Sequence, residues 1–506
     1  MLTTKLRDFE DRRKTSPALP GGIAPATSSN SFRNAKDTGR KSLAWKQHLS
    51  EECRRRQGSE LKAAASITTP CPVGSINLGT ARPDARYFPW QSMTVDGVAS
   101  VEQDASGHES TSILPMTCIK GEDAYDFGIA MNYGFTAGSP QLLRFITEHV
   151  ELIHNFQYDD WETCLTCGTT SALDILFRVL CNPGDSVLVE SYTYAGTLQA
   201  LKPLGVTPIS IDMDEHGLSP SDLNTKLQTW DETKSGRKPF ILYTIPSGQN
   251  PTGITQPLSR KKEIYALAEK HNLLIIEDDP YYFLQLTNIT SCPDPSTYLK
   301  SLMPSYLCLD TSGRVLRLDS TSKILAPGLR TGWLTGPSEL INKFLNYTEY
   351  STVAPSGPSQ IMLYKLLDQT WGHIGFLRWL MHLSRQYRQC RDILLAACER
   401  YLPRPLCRWE TPDVGMFIWI KIDLAQVKEN FVGSIMELEE AVYSSARSQG
   451  VQVSRGSWFV ADLAKKGEEL AFRMTFAAVE KEVLDEAVKR FAAALLPLIA
   501  KYKASS

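Results

Sequence analysis

The sequence predicts an α/β protein, with a large domain built on a mainly parallel sheet flanked by helices and a smaller α+β domain after it. Three observations carry this expectation. From about residue 122 to about 345, short apolar runs closed by turn residues alternate with stretches whose apolar residues recur three and four positions apart. Beyond about 365, long helical patterns surround a few strands. Over 506 residues, 42% are hydrophobic and 22% charged, the composition of a globular chain and not of a disordered one.

Taken in order, residues 1–45 are rich in Ser, Pro, Gly, Lys and Arg and show no apolar period, so a disordered extension is expected there. Residues 1–60 carry 13 basic and 7 acidic side chains. Residues 46–121 are expected to form an N-terminal arm and part of the small domain. Within them Ile76–Trp90 (INLGTARPDARYFPW) is punctuated by Gly and Pro like a segment that lines a site. The large domain is expected over 122–365. Its helices include Gln141–Phe156 and Ser171–Leu180, and its strands include Ser186–Val189, Pro208–Ile211, Phe240–Ile245, Leu273–Glu277 and Val315–Leu318. The small domain is expected over 366–506, with helices Leu377–Tyr401 and Val483–Lys501 and strands Gly415–Ile422 and Ala471–Phe476.

Several partner classes are excluded by these same data. A net charge of -2 gives no general attraction to nucleic acid or anionic membrane. No stretch reaches the ~20 apolar residues of a membrane span. Met1–Asp11 lacks the apolar core of a secretory signal, and its acids Asp8, Glu10 and Asp11 argue against a mitochondrial transit peptide. A cytoplasmic protein is expected, its eleven cysteines mostly reduced. Cys164 and Cys167 form a CxxC, but no second pair or histidines accompany it, so no metal is expected.

In a parallel sheet, ligands bind beyond the carboxyl ends of the strands. Three predicted strands end in chemically useful residues. Leu273–Glu277 runs into Asp278-Asp279-Pro280-Tyr281-Tyr282, and Phe240–Ile245 into Pro246-Ser247-Gly248-Gln249-Asn250-Pro251-Thr252-Gly253. Val315–Leu318 runs into Asp319-Ser320-Thr321-Ser322-Lys323, followed by Arg330. A lysine among neutral groups can form a Schiff base with an aldehyde. Ser320, Ser322 and Arg330 suit a dianionic phosphate. Asp279 can keep a pyridine nitrogen protonated, which makes the ring an electron sink. Asn250 and Tyr282 can hydrogen-bond a phenolate oxygen on that ring. Aldehyde, phosphate, pyridine and phenol together describe pyridoxal 5'-phosphate. Each motif alone is weak; their order, each after its own strand, is what carries the inference.

These segments resemble the fold-type-I, class I/II pyridoxal-phosphate aminotransferases. Within that family the chain is most similar to the fungal aromatic aminotransferases and the kynurenine/2-aminoadipate aminotransferases. The resemblance lies in Ile275–Leu284 (IIEDDPYYFL), Ile245–Gly253 (IPSGQNPTG), Ser320–Pro337 (STSKILAPGLRTGWLTGP), Ser191–Leu204 and Tyr133–Leu142. His48–Lys62 and Tyr87–Trp90 add to it. It implies an aspartate-aminotransferase-like fold whose large domain binds pyridoxal phosphate. By resemblance, Lys323 is the Schiff-base lysine and proton shuttle, Asp279 the pyridinium partner, and Asn250 and Tyr282 the ligands of the ring oxygen. Tyr194 stacks on the ring. Thr169 and Thr170, opening a helix, join Ser320, Ser322 and Arg330 around the phosphate. Tyr133 reaches the phosphate of the neighbouring subunit, so a homodimer is implied. Arg473 grips the substrate carboxylate, with Asn250 beside it.

Two departures stand out. Thr80-Ala81-Arg82-Pro83 replaces a common Gly-Gly-Leu-Pro, and Arg82 either binds an acidic substrate side chain or points to solvent. Thr169-Thr170 replaces Ser-Gln, which keeps one hydroxyl and adds another. The resemblance implies ping-pong amino transfer from an aromatic L-amino acid to a 2-oxo acid, 2-oxoglutarate being the expected acceptor. The alternative donors are 2-aminoadipate, kynurenine or lysine in a specialised pathway. The same scaffold also supports decarboxylation or elimination. A transcription regulator with an aminotransferase-like domain is the rival of another class, but the N-terminal 60 residues show no helix-turn-helix pattern.

Overall fold

The structure, a computed structural model, describes residues 2–34, 38–56, 79, 81–103, 109–287, 289, 294–423, 425 and 434–503. Residues 57–78 and Thr80, which include parts of His48–Lys62 and Ile76–Trp90, lie outside the described residues.

Strands β1 (Ser92–Gln103) and β2 (Glu109–Ile119) form an antiparallel hairpin with a register shift between Val98 and Ser100. The main sheet uses β3 (Trp161–Thr166), β4 (Ser186–Glu190) and β5 (Thr207–Ile211). After the short ribbon β6 (Met213–Asp214) and β7 (Gly217–Leu218), it continues with β8 (Ile241–Thr244), β9 (Leu274–Asp278), β10 (Val315–Ser320) and β11 (Gly332–Pro337). Its seven strands are ordered β3-β11-β10-β9-β8-β4-β5. β4 pairs in parallel with β5 and β8, and β8 with β9; β11 runs antiparallel to β10 and β3. β8, β9 and β10 are buried at every position, which is why they appear in the sequence as nearly continuous apolar runs.

Two compact units divide the chain. The first holds Met1–Pro183, Asp294–Lys300 and Pro304–Trp379; the second holds Gly184–Pro293, Ser301–Met303 and Leu380–Ser506. They interleave along the sequence.

The first unit corrects the expectation of a disordered 1–45. Leu2–Thr15 is a helix whose Leu2 and Phe9 are buried. Arg12 pairs with Glu151 at 2.9 Å, and Arg13 with Glu148 at 2.5 Å and Asp368 at 2.6 Å. Lys5 donates to the carbonyls of Glu151 and Leu152. All three acids and carbonyl ends belong to, or lie against, the helix Pro140–Ile153 or its neighbour. The segment thus docks by charge with only two buried apolar side chains, which leaves no visible apolar period.

In the second unit, β12 (Cys407–Arg408), β13 (Phe417–Ile422), β14 (Ser454–Arg455) and β15 (Leu470–Thr475) form an antiparallel sheet ordered β12-β13-β15-β14. The helices Ile435–Ser448 and Leu484–Lys503 pack with it around Ile418, Ile420, Leu438, Phe472 and Phe491. A capping box between Ser434 and Glu437 starts the first of them by satisfying two otherwise orphaned backbone donors. This is the expected α+β portion. Among the described residues no helix is long and apolar enough to cross a membrane.

Candidate active site

The candidate residues fall into two sets, one in each unit. In the first unit, Gly168 precedes the twelve-residue helix Thr169–Leu180, so Thr169 and Thr170 sit at its positive end. β10 ends at Ser320, which is 3% exposed. The Ser320 hydroxyl donates to Ser322 Oγ at 2.9 Å and receives the Ser322 N–H at 3.1 Å. The Thr321 carbonyl receives the N–H groups of Ile324 and Leu325, and this turn holds Lys323, which is half-buried. Thr321 Oγ1 ties the turn to the Thr331 carbonyl at 2.7 Å.

Arg330 has a left-handed backbone, φ 46°, and donates to the Pro327 carbonyl at 2.9 Å and the Cys167 carbonyl at 3.5 Å. Its guanidinium presses against Gly168, where an added Cβ would fall 2.5 Å from an Arg330 nitrogen. Gly168 also needs its freedom to adopt φ 91°. Arg330 lies against the N-terminus of the helix that Thr169 and Thr170 open, and these groups, with the hydroxyls of Ser320 and Ser322, are donors of the kind that fit a phosphate dianion. Tyr133, in the same unit, is 59% exposed. Arg82 is half-buried and donates to the Ile23 carbonyl at 2.8 Å, an engagement within its own unit that neither expected role included.

In the second unit, Asp279 follows β9 directly and is 1% exposed. The Ser247 hydroxyl donates to Asp279 Oδ2 at 3.0 Å. The neighbouring Asp278 takes the Tyr243 hydroxyl at 2.7 Å, so the two acids have different hydroxyl partners. A buried carboxylate of this kind fits a protonated ring nitrogen. Arg473 lies on β15, opposite Trp419 on β13 and Ser454 on β14. It donates to Asn250 Oδ1 at 2.7 Å and to Ser454 Oγ at 3.0 Å. Its guanidinium stands 4.5 Å from the Phe417 ring centre and 4.8 Å from that of Phe459. Burial pushes its pKa down, while the phenols of Tyr281 and Tyr194 act in the opposite sense. No described carboxylate pairs with it.

Tyr194 is half-buried at the N-cap of the helix Ala195–Leu201. Its ring lies over Gly196, where a Cβ would come within 2.4 Å of it. Tyr192, the other candidate for a stacking tyrosine, is committed elsewhere: its hydroxyl donates to Glu469 at 2.8 Å and its ring meets Trp419. Tyr282 is 1% exposed.

Sequence reasoning missed three supports in this set. Tyr281 hydrogen-bonds Asn250, and burial raises its pKa. Ser247 holds Asp279. Glu190, fully buried at the end of β4, receives Thr244 Oγ1 at 2.7 Å and Gln249 Nε2 at 2.9 Å, and burial pushes its carboxyl up to about 7. Gln249 Nε2 also donates to the Tyr192 carbonyl, and its Oε1 receives Thr252, which fixes the turn that carries Asn250. Ser247 and Gln249 belong to the motif that supplied Asn250, and that adjacency was the available signal.

Known proteins resemble this chain along most of its length. A family model described as aminotransferase class I and II matches residues 102–491. Aminotransferase swnA of Arthroderma benhamiae is 48% identical over 463 residues, covering 89% of this chain and 91% of that protein. Aromatic amino acid aminotransferase C56E4.03 of Schizosaccharomyces pombe is 39% identical over 461 residues, covering 88% of this chain and 97% of that protein. Among solved structures, aminotransferase Aro8 from Candida albicans superposes with a TM-score of 0.81 at 32% identity, covering 91% of this chain and 100% of that one. The matched residues 102–491 contain every candidate residue except Arg82, and the chain is a member of the class I and II aminotransferases, an enzyme that transfers amino groups.

Proposed function

We propose that the enzyme uses pyridoxal 5'-phosphate to move the amino group of an aromatic L-amino acid to a 2-oxo acid, 2-oxoglutarate, in a ping-pong cycle. The observation that carries the substrate class is Arg473: a half-buried guanidinium with no described carboxylate partner, flanked by the rings of Phe417 and Phe459. It supplies a charge for an α-carboxylate beside apolar surface for an aromatic side chain. When bound, the cofactor supplies an electron sink next to the amino acid's Cα.

In this proposal Lys323 Nζ would hold the cofactor's aldehyde carbon until the amino group of the substrate displaces it, and the freed amine would then carry the proton from Cα to C4'. Asp279 keeps the pyridine nitrogen protonated, and the Ser247 hydroxyl orients its carboxylate. Asn250 and Tyr282 hold the ring oxygen, with Tyr281 steadying Asn250. Tyr194 covers the ring face. Thr169, Thr170, Ser320, Ser322 and Arg330 bind the phosphate, and Tyr133 of a second copy completes it in a homodimer. The nine described cysteines are free thiols, which supports a reducing compartment, the cytoplasm.

The test is a half-reaction screen. Purified enzyme loaded with cofactor is mixed with single amino acids, and the cofactor's absorbance change is followed. Phenylalanine, tyrosine or tryptophan should react fastest. A faster reaction with 2-aminoadipate, kynurenine or lysine would replace the aromatic assignment and turn attention to Arg82.

A further inference from the structure

Glu190 closes β4 with none of its surface exposed, and the proposed cycle gives this buried acid no role. Its hydrogen-bond partners are all donors. Oε1 receives the Thr244 hydroxyl at 2.7 Å, Oε2 receives Gln249 Nε2 at 2.9 Å, and the Ile245 N–H lies 3.3 Å from both oxygens. Gln256 Nε2 stands 3.5 Å from Oε1 and donates to Thr244 Oγ1 at 3.0 Å. No described cation pairs with the acid. An ionised carboxylate accepts at both oxygens, so this ring of donors fits the charged form and leaves a proton on Glu190 without a matching acceptor.

Gln249, 1% exposed, extends this hold to both sides of Arg473, and all the residues involved belong to the second unit. On one side, Gln249 Oε1 receives the N–H and the hydroxyl of Thr252, at 2.9 and 2.7 Å, and the Gln249 backbone is bonded across the turn to Gly253 and Ile254. The next residue in that turn is Asn250, which receives Arg473 Nη1 at 2.7 Å. On the other side, Gln249 Nε2 donates to the Tyr192 carbonyl at 2.6 Å. Tyr192 is bridged to Val460, and the Thr193 N–H donates to the Phe459 carbonyl at 2.9 Å. The Phe459 ring centre is 4.8 Å from the Arg473 guanidinium.

We propose that Glu190 is a positioning residue for substrate binding. Its carboxylate holds Gln249, and Gln249 holds Asn250 and the Phe459 segment in place around Arg473, so that Arg473 grips the substrate carboxylate fully only when Glu190 is ionised. The inference rests on the reading of Arg473 as the partner of that carboxylate.

The charge on Glu190 changes near neutral pH, because burial, with a smaller contribution from Asp278, raises its carboxyl to about 7. The other titratable groups on the neighbouring strands are Tyr243 on β8, whose hydroxyl Asp278 receives, and Glu277 on β9, opposite Thr244 in the register. β5 places the neutral Ile211 beside Glu190. As pH falls, Glu190 becomes neutral, matches its donors poorly and loosens Gln249, so carboxylate binding weakens. Stability runs the other way, since an acid whose pKa is raised by folding favours the folded state at the lower pH. The two effects can therefore be told apart by sign.

The experiment is isothermal titration of the full-length, cofactor-loaded enzyme with 3-phenylpropionate, which has an aromatic ring and a carboxylate but no amino group to react. Wild-type affinity should exceed that of Glu190→Gln by about 3–10-fold at about pH 8, and the ratio should fall toward one at about pH 6, where the wild-type side chain is neutral too. Taking the ratio cancels every titration the two proteins share. Gln249→Met keeps the length of the side chain without its donors; it should lose affinity by a similar factor, and the double variant should lose no more than either single one. Arg473→Gln is the reference. If it binds 3-phenylpropionate as well as the wild type does, the reading of Arg473 fails and the proposal with it. If it binds weakly while Glu190→Gln and Gln249→Met bind like the wild type, the proposal alone fails. A ratio that stays constant or grows toward low pH would also overturn it, because an effect through stability alone grows in that direction.

Discussion

Arg473 carries the sharpest prediction at the scale of single residues. It sits between two aromatic rings with hydrogen bonds to Asn250 and Ser454 and no described counter-ion. Arg473→Gln should lower kcat/KM by roughly 30-fold, about 2 kcal/mol, through lost carboxylate binding, with melting temperature little changed. Steady-state kinetics with amino acid and with 2-oxo acid check this, since both substrates carry the carboxylate. Gly196 gives a test with opposed signs. Alanine there improves helix propensity by roughly 0.5–1 kcal/mol, but its Cβ would lie 2.4 Å from the Tyr194 ring. Gly196→Ala should therefore keep or raise the melting temperature while cutting activity severalfold. A variant with full activity would show that Tyr194 does not need its present position.

Among elements, strand ends are the most legible part of the site. β8, β9 and β10 are short apolar runs that stop at a turn, so the sequence pattern alone assigns Asn250, Asp279 and Lys323 to strand exits. β3 is not legible in the same way. It carries Glu162, Thr163 and Thr166, all buried, and their polarity masks the strand. Their partners lie far off in sequence: Ser28 and Asn30 donate to Glu162, and Thr163 shares a hydrogen bond with Thr335. The N-terminal helix escapes for a related reason, because ion pairs do most of its docking. Arg13 is the central contact, reaching Glu148 and Asp368, of which Glu148 is 3% exposed in its side chain and also meets His373. Arg13→Gln should lower stability by about 2 kcal/mol, seen as a reduced melting temperature, because a buried acid loses its main counter-ion while His373 remains.

Glu190 belongs to this scale too, since it links the ends of β4 and β8 to the Gln249 turn. Its carboxyl is raised by burial, and further by Asp278, from 4.5 to about 7. A raised acid binds a proton more tightly in the folded state than in the unfolded one. Its contribution is therefore favourable below about pH 4.5 and is lost progressively as pH rises toward about 7. Glu190→Gln should flatten the pH dependence of the melting temperature in that window. An unchanged profile would mean that Glu190 does not titrate there.

At the scale of the whole molecule, the basic excess of the first 60 residues is the clearest gain over sequence. By itself it points to no partner, and the structure shows Lys5, Arg12 and Arg13 spent on the helix Pro140–Ile153 and its surroundings. Arg33 likewise donates to the Asp159 carbonyl. These are contacts within one unit, so part of the basic start of this near-neutral chain serves its own packing. The order of elements and the site motifs are legible because they depend on local patterns; the division into units is not, because each unit joins segments hundreds of residues apart. The family assignment rests on that whole pattern, and one measurement tests the mechanism proposed for it most directly. The enzyme, loaded with cofactor, is mixed with an aromatic amino acid without any acceptor, and the released 2-oxo acid is counted. One 2-oxo acid per subunit should appear and release should then stop, resume when 2-oxoglutarate is added, and fall by more than about 100-fold in Lys323→Ala. Continued turnover without an acceptor, release of carbon dioxide in place of the 2-oxo acid, or full activity in Lys323→Ala would contradict it.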